Sequence, residues 1–386
     1  MKEIHFTNFH IQSGEIRFRF GEYVDGELRE KGELYFLLTP QIRPREELIA
    51  LSISTLCGNK YQKIHLDLSV DTSILGMISD FTAANVVVKK TLINPIGWKE
   101  KGNVTLNFSG GFDSLAAKCL MPKNIDLVSM DFGGKFSRER KFFERFNTCI
   151  VETNIVETHL RANSWSFMGI ANILFSEYLG TNYYSFGNIL AGSNDRLSLA
   201  PSAARNVSFP PFLALGMKSA PYVAGLTEVG TLRVLGHFDS GLVSDSLNSL
   251  ANPGEDKRYR KQNLATIVEK KFGYNFDLDL VEPPKKAYYE FGKNYVHDFL
   301  AFYGIKNNGL ELTEHTVRDI PKSLVDLTGD LSLDFFEKVN PNFFLNFPSP
   351  LLPGLIKNLA NADILPYTEQ DWLEFARVRD FLSQYR

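Results

Sequence analysis

The first hundred residues place apolar residues alternately or in short clusters, as β-strands do. Three segments predict strands: 15–20 (EIRFRF), 33–38 (ELYFLL) and 63–69 (KIHLDLS). The sequence VDGE at 24–27 predicts a hairpin turn between the first two strands. Residues 72–81 predict a short helix that begins after Asp71. These elements indicate a separate β-rich α+β domain over residues 1–95.

Beyond residue 100 the pattern changes to apolar strands that alternate with helices. The predicted strands cover residues 104–108, 125–130, 149–153 and 183–186. The predicted helices between them cover residues 114–120, 135–146 and 168–179. Because this alternation is typical of right-handed crossovers, we expect an α/β fold, a parallel sheet with helices on both faces. In such sheets ligands bind at the carboxyl ends of the strands.

The rest of the chain has a different composition. Residues 190–262 are rich in Ser, Asn, Gly and Pro, which predicts long loops with one helix at 227–235. Further on, segments 285–303 and 369–385 have helical patterns. We therefore expect the α/β domain to cover residues 100–265 and a helical C-terminal extension to cover residues 266–386.

Composition narrows the class of protein. The chain has 386 residues, 44% of them hydrophobic, which is enough for a sizeable core in two or three compact units. Lys and Arg number 42 against 45 Asp and Glu, so the whole chain lacks the basic excess of dedicated nucleic-acid binders. The N-terminal sequence has no apolar signal segment, and no stretch approaches the ~18 apolar residues of a membrane span. We expect a cytoplasmic protein without a membrane partner.

The strongest chemical signal is the sequence SGGFDS at residues 109–114, directly after a predicted strand. The first amides of a helix and its dipole attract an anion, and adjacent glycines let the backbone wrap around phosphate oxygens. A carboxylate beside a polyphosphate is repelled unless a divalent cation lies between them, so Asp113 is a candidate Mg²⁺ contact. The loop lacks the Lys of the GxxxxGK[ST] motif, which argues against γ-phosphate transfer. Alternatively, the glycines only turn the chain and Asp113 and Ser114 only cap the helix.

The loop resembles the SGGxDS signature of the PP-loop ATP pyrophosphatases, which have the adenine nucleotide alpha-hydrolase fold. Two further segments are similar to that family: MDFG at 130–133 and FGN at 186–188. Together they most resemble the branch that contains 7-cyano-7-deazaguanine synthase and its relatives in bacterial antiviral defence systems. The resemblance covers roughly residues 103–265.

The resemblance implies an AMP-forming ligase that uses ATP and Mg²⁺. Members of the family transfer AMP to a carboxylate or carbonyl oxygen and release pyrophosphate, and a nitrogen or sulfur nucleophile then displaces AMP. It further implies that Ser109, Gly110, Gly111 and Ser114 hold the departing pyrophosphate, with Asp113 beside Mg²⁺. Asp113 and Ser114 are the implied catalytic residues. The implied adenine and ribose contacts are Asp131, Phe132 and Gly133, and the residues implied to close over the nucleotide are Gly187 and Asn188.

This sequence departs from that branch in two ways that affect the chemistry expected of it. The branch has a C-terminal cluster of four zinc-binding cysteines, but residues 252–265 contain none, and the three cysteines of the chain, Cys57, Cys119 and Cys149, form no CxxC pair. We therefore expect no zinc and no disulfide framework. The branch also has a Lys shortly after a Pro at the edge of the active site. Here Thr227 occupies that position after Pro221, which leaves Lys218 and Arg233 as candidates for the charge.

Two basic segments have competing interpretations. Residues 135–146 place Lys135, Arg138, Lys141 and Arg145 on one helical face, which suits RNA or a carboxylate but is more often a solvated face. The run KRYRK at 257–261 is basic as well, and solvation is again the preferred interpretation.

The sequence leaves three possible functions open. The first is an adenylating enzyme that activates a carboxylate, such as a 7-deazaguanine acid, for amide or nitrile formation, with ammonia or a protein amino group as acceptor. The second is a nucleotide-binding scaffold without turnover, which the missing Lys allows. The third is a tRNA-modifying transferase, for which tRNA binding would weaken strongly with salt.

Overall fold

The computed structural model describes residues 1–93, 102–192 and 206–385. The predicted domain boundary at 95–100 and part of the predicted loop region lie outside these ranges. The chain divides into two compact units. We call them the sheet unit (Met1–Ser109, Asn124–Ser185 and Ser208–Ser219) and the helical unit (Gly110–Lys123, Phe186–Val207 and Ala220–Arg386).

The sheet unit is built on ten strands. They are β1 (Lys2–Gln12), β2 (Glu15–Val24), β3 (Glu27–Thr39), β4 (Lys63–Asp71), β5 (Asn85–Leu92), β6 (Asn103–Asn107), β7 (Asp126–Asp131), β8 (Thr148–Thr153), β9 (Thr181–Phe186) and β10 (Lys218–Ser219). Their order is β10-β9-β6-β7-β8-β3-β2-β1-β4-β5. Strands β6, β7 and β8 run parallel, as do β1, β4 and β5, while β1, β2, β3 and β8 pair antiparallel. The mostly parallel sheet confirms the α/β class.

Thirteen helices lie in the described part of the chain. They are α1 (Glu46–Cys57), α2 (Thr72–Thr82), α3 (Phe112–Leu120), α4 (Ser137–Phe143), α5 (Ile170–Leu179), α6 (Pro210–Leu213), α7 (Glu228–Phe238), α8 (Val243–Leu250), α9 (Asp256–Phe272), α10 (Tyr295–Glu314), α11 (Lys322–Gly329), α12 (Leu352–Asn361) and α13 (Glu369–Ser383). None of these helices is both long and apolar enough to cross a membrane.

Local signals in the N-terminal strands and helix α2 are confirmed. Asp25 and Gly26 take φ values of 52° and 84° between β2 and β3, which is the left-handed geometry of a tight two-residue hairpin. Asp71 accepts a hydrogen bond from the Ser73 amide at 2.8 Å and so caps α2, as the sequence predicts. These features depend on adjacent residues, which explains why the sequence reveals them.

The predicted separate domain over residues 1–95 differs from the observed arrangement. Strand β3 pairs antiparallel with β8, with Phe36 opposite Thr153 and Thr39 opposite Ile150. The N-terminal strands and the predicted nucleotide-binding strands therefore belong to one sheet. Alternation along a strand identifies its buried face but not the strand that pairs with its edge, so this pairing was not predictable from the pattern.

The helical unit contains more regular structure than the loop-rich interpretation of residues 190–262 predicts. Besides α7, this stretch contains α8 and the start of α9. The predicted helix at 285–303 begins instead at Tyr295 and runs to Glu314, with a non-helical Gly309 at φ 81°. Helix α13 begins at the predicted position, where Thr368 and Asp371 form a reciprocal capping box. Two short parallel strands, β11 (Tyr289–Glu290) and β12 (Val317–Arg318), complete the unit.

Candidate functional site

The loop SGGFDS begins where β6 is firmly attached to β7. The Phe108 amide donates to the Val128 carbonyl at 2.7 Å, and the Ser129 hydroxyl donates to the Phe108 carbonyl at 2.7 Å. Val104, Thr105 and Leu106 are buried in the sheet. The backbone that enters the loop is therefore fixed on one side by its parallel neighbour.

The loop itself has the geometry for which glycine is suited. Gly110 has φ 77°, a left-handed conformation that other residues adopt only with strain. Gly111 is extended and precedes the first residue of α3, Phe112. The Ser114 side chain is buried and its hydroxyl donates to the Gly111 carbonyl at 3.0 Å, whereas Ser109 is exposed. The strand-loop-helix setting predicted for this motif is confirmed.

Within the helical unit, two contacts hold the start of α3. The Ser246 hydroxyl on α8 donates to the Gly110 carbonyl at 2.7 Å. Gly187 approaches so closely that a Cβ on it would lie 2.7 Å from the Ser114 nitrogen and 3.0 Å from the Asp113 carbonyl carbon. The structure thus brings the predicted site residues Gly187, Asp113 and Ser114 together. Asn188 follows Gly187 and is half-buried.

Asp113 faces α7 and α9. Its carboxylate accepts a hydrogen bond from the Thr231 hydroxyl at 3.2 Å. Burial raises the pKa of Asp113, and the nearby Lys261 cation opposes that shift, while Glu228 adds to it. The Asp113 carboxylate therefore carries its negative charge at some cost in stability, which an added cation would reduce.

A buried charge cluster, formed by Glu228, Arg260 and Lys261, lies next to Asp113. Arg260 donates to both oxygens of Glu228 at 2.9 Å, and the Lys261 ammonium lies 3.4 Å from Glu228 and 5.0 Å from the centre of the Phe112 ring. Burial disfavours the ionised Glu228, but the two cations outweigh burial and lower its pKa to about 2.

The buried charge cluster corrects the interpretation of KRYRK as a solvated run. Arg258 and Lys261 are buried, and Arg260 is largely buried as well. The charged partner, Glu228, is the first residue of α7 and lies far from Arg260 in sequence. A run of basic residues does not indicate that a distant carboxylate is buried against it, so local sequence reasoning missed the cluster.

Asp131 belongs to the sheet unit and has a tightly bound carboxylate. It accepts from the Gly133 amide at 2.9 Å and from Arg140 at 2.7 Å. Arg140 also binds Glu152 and Glu144, each at 2.7 Å. Phe132 is half-buried. The predicted contact of this segment with adenine and ribose stays a prediction, and Arg140 is a partner that the sequence analysis did not identify.

The residues considered for the missing Lys differ in their surroundings. Arg233 is buried, where it donates to the Glu337 carbonyl at 2.8 Å and the Asp363 carbonyl at 3.0 Å, so it stabilises the helical unit. Thr227 caps α7 through hydrogen bonds from the Val229 and Gly230 amides. Lys218 is an exposed residue of β10 in the sheet unit. Lys261, and to a smaller extent Arg260, is placed so that its positive charge lowers the pKa of the Asp113 carboxylate.

The remaining basic face and the cysteines have ordinary surroundings. Lys135, Lys141 and Arg145 are exposed and Arg138 is half-buried, but α4 covers only Ser137–Phe143, so the helix is shorter than the predicted 135–146 and Lys135 and Arg145 lie outside it. Cys119 is half-buried, and burial raises its pKa to about 11, which disfavours the reactive thiolate.

Comparisons with protein-family models, with curated proteins and with solved structures each found no match for this chain.

Proposed function

We propose that the loop at residues 109–114 binds the phosphates of ATP and that the protein is an adenylating enzyme of the adenine nucleotide alpha-hydrolase class. The observation that carries this proposal is the geometry at the start of α3. Gly110 is left-handed, and Gly187 lies against the backbone of Ser114 with no space for a Cβ. A loop that serves only as a turn needs no second glycine segment packed on the first helical turn.

The surroundings of the loop favour a bound anion. The buried charge cluster contains two cations and one carboxylate next to the first turn of α3, and the ionised Asp113 balances its one excess positive charge until a magnesium ion binds that carboxylate. The helix dipole adds positive potential at the same end. Both act on negative charge that develops as pyrophosphate leaves, so Lys261 and Arg260 can supply the electrostatic stabilisation that the family Lys provides elsewhere.

Asp113 fits the role of a magnesium contact. Mg²⁺ commonly binds one or two protein carboxylates together with substrate phosphates. Asp113 is an acidic side chain in the first turn of α3, and its raised pKa shows that its charge lacks full compensation from Lys261. When bound, the metal would neutralise charge between Asp113 and the phosphates.

The proposed reaction conserves atoms and charge in two steps. An oxygen of the substrate carboxylate attacks the α-phosphorus of ATP, and the bond from that phosphorus to the bridging oxygen breaks, which releases pyrophosphate. A neutral amine then attacks the acyl carbon, AMP leaves as the carbon–oxygen bond to its phosphate breaks, and the nitrogen releases one proton to solvent to give the amide. The substrate class is a small carboxylate such as a 7-deazaguanine acid, with ammonia or an amino group on a protein as acceptor.

Product analysis tests this proposal. The full chain is incubated with ATP, Mg²⁺, ammonia and 7-deazaguanine carboxylate, and AMP, ADP, pyrophosphate and phosphate are measured. We expect AMP and pyrophosphate in equal amounts, and we expect Asp113→Asn and Ser114→Ala to remove turnover. Asp380→Asn, an exposed substitution on α13, is the matched control and retains full turnover. Formation of ADP and phosphate would contradict the proposal.

A second candidate function is a nucleotide-binding scaffold without turnover. The hydrogen bond from Thr231 to Asp113 favours it, because that carboxylate oxygen already has a partner within the protein. The same assay separates the two functions. ATP binding without pyrophosphate release, whichever acid or amine is supplied, supports the scaffold and contradicts the enzyme.

A further inference from the structure

Three potential metal ligands occupy one face of β1 and β4 in the sheet unit. On β1, Ile4 and Phe6 are buried, so Glu3 and His5 project from the opposite face. The parallel register places His5 directly beside His65 of β4. The side chains of Glu3, His5 and His65 are therefore neighbours because of strand alternation and register.

The distances among these side chains match those around a small divalent metal ion. The Nε2 atom of His5 lies 3.2 Å from Oε2 of Glu3, and the Nε2 atom of His65 lies 3.4 Å from the same oxygen. One donor atom from each residue lies within 4.8 Å of the other two. A tetrahedral ion with metal–ligand bonds of about 2.0–2.1 Å separates its ligands by about 3.4 Å.

We propose that Glu3, His5 and His65 form a site for a divalent transition-metal ion of the zinc type. Two imidazoles and one carboxylate are a donor set that suits such ions and leaves a fourth position for water or another ligand. The proposal departs from the expectation of no zinc, which is based on the missing cysteine cluster and not on these three residues, and it does not depend on the proposed function of the loop.

A second observation favours a ligand over a self-contained hydrogen-bonded trio. Nε2 of His65 is shielded from solvent, and its contact with the Glu3 carboxylate at 3.4 Å is too long for a good hydrogen bond, which is costly for a buried polar atom. A metal ion that takes the lone pair of this nitrogen would remove that cost. His5 also lines a cavity of about 440 Å³, together with Arg19, Tyr23 and Lys31, which offers room for a fourth ligand.

Calorimetric titration of the untagged, metal-free full chain with Zn²⁺ tests the proposal. We expect one equivalent to bind, and we expect His5→Gln and His65→Gln each to weaken binding by at least about 10–100-fold, because each removes a direct ligand. His10→Gln is the matched control, since His10 is an exposed residue of the same strand. It retains the wild-type affinity.

The proposal is overturned if the wild-type chain binds no Zn²⁺. It is also overturned if His5→Gln and His65→Gln bind as tightly as the wild type, or if His10→Gln loses as much affinity as they do. Circular dichroism of each variant before titration verifies that the sheet is folded, so that a loss of binding reports the ligands themselves.

Discussion

Asp113 lies in the first turn of α3 after β6, whereas Asp131 is the last residue of β7, and the two carboxylates have different surroundings. The Asp131 carboxylate is bound by the Arg140 guanidinium and by the Gly133 amide. The Asp113 carboxylate accepts a hydrogen bond from the Thr231 hydroxyl. Burial raises the pKa of Asp113, although the Lys261 cation opposes that shift. The Asp131 carboxylate has its hydrogen-bond partners within the sheet unit, whereas the Asp113 carboxylate retains a charge that a cation would stabilise. Two acids at similar sequence positions thus have different capacities to bind a ligand.

The largest expected effect comes from breaking the buried charge cluster beside Asp113. Glu228→Gln leaves Arg260 and Lys261 buried without their carboxylate, and we expect the free energy of unfolding to fall by about 3 kcal/mol. Urea unfolding measures this difference. Glu27→Gln, an exposed control in β3, should change it by less than about 0.5 kcal/mol. An equal effect of the two substitutions would show that the cluster does not stabilise the fold.

The same cluster predicts a dependence of stability on pH. The pKa of Glu228 is lowered from 4.5 to about 2 in the folded protein, so its contribution is present above pH 4.5 and is lost as the pH falls towards 2. The stability difference between wild type and Glu228→Gln should shrink by up to about 3 kcal/mol over that interval. Asp113, whose pKa is raised, contributes in the opposite direction, and Glu228→Gln reduces that contribution because Glu228 adds to the Asp113 shift. A difference that stays constant from pH 7 to pH 3 would contradict this account.

Gly187→Ala should disturb the first turn of α3, which contains Asp113 and Ser114. The added Cβ would meet the Ser114 nitrogen at 2.7 Å, so α3 must shift, which we expect to cost about 1–3 kcal/mol and to weaken ATP binding. Gly354→Ala on α12 is the control, because its Cβ meets nothing within 4 Å and alanine favours a helix. Unchanged ATP affinity in Gly187→Ala would separate Gly187 from the nucleotide site.

The smallest expected changes in stability are those of Asp131→Asn and Asp113→Asn, and the two substitutions should differ in sign or size. Asp131→Asn removes the ion pair with Arg140, and we expect a loss of about 1 kcal/mol because Arg140 is partly exposed. Asp113→Asn should leave stability unchanged or slightly higher, since a raised pKa means that its ionised form costs stability at neutral pH. Thermal unfolding of both variants tests the contrast, and a greater loss in Asp113→Asn would reverse it.

Sequence reasoning identified the features that depend on neighbouring residues. The hairpin at Asp25 and Gly26, the cap at Asp71 and the strand-loop-helix unit around Gly110 are all encoded within a few positions. The pairing of β3 with β8, the contact of Arg140 with Asp131 and the burial of Lys261 against Glu228 each join distant segments. Local pattern and charge do not specify such partners, so these parts of the fold and the site required the structure.

The measurement that tests the nucleotide-binding loop most directly is ATP binding with and without Mg²⁺, in the wild type and in Asp113→Asn. The account predicts that the wild-type chain binds ATP more tightly when Mg²⁺ is present. It predicts that Asp113→Asn, correctly folded, loses that enhancement, because the carboxylate that contacts the metal is gone. Absence of ATP binding in the wild type, or the same Mg²⁺ enhancement in both proteins, would contradict it.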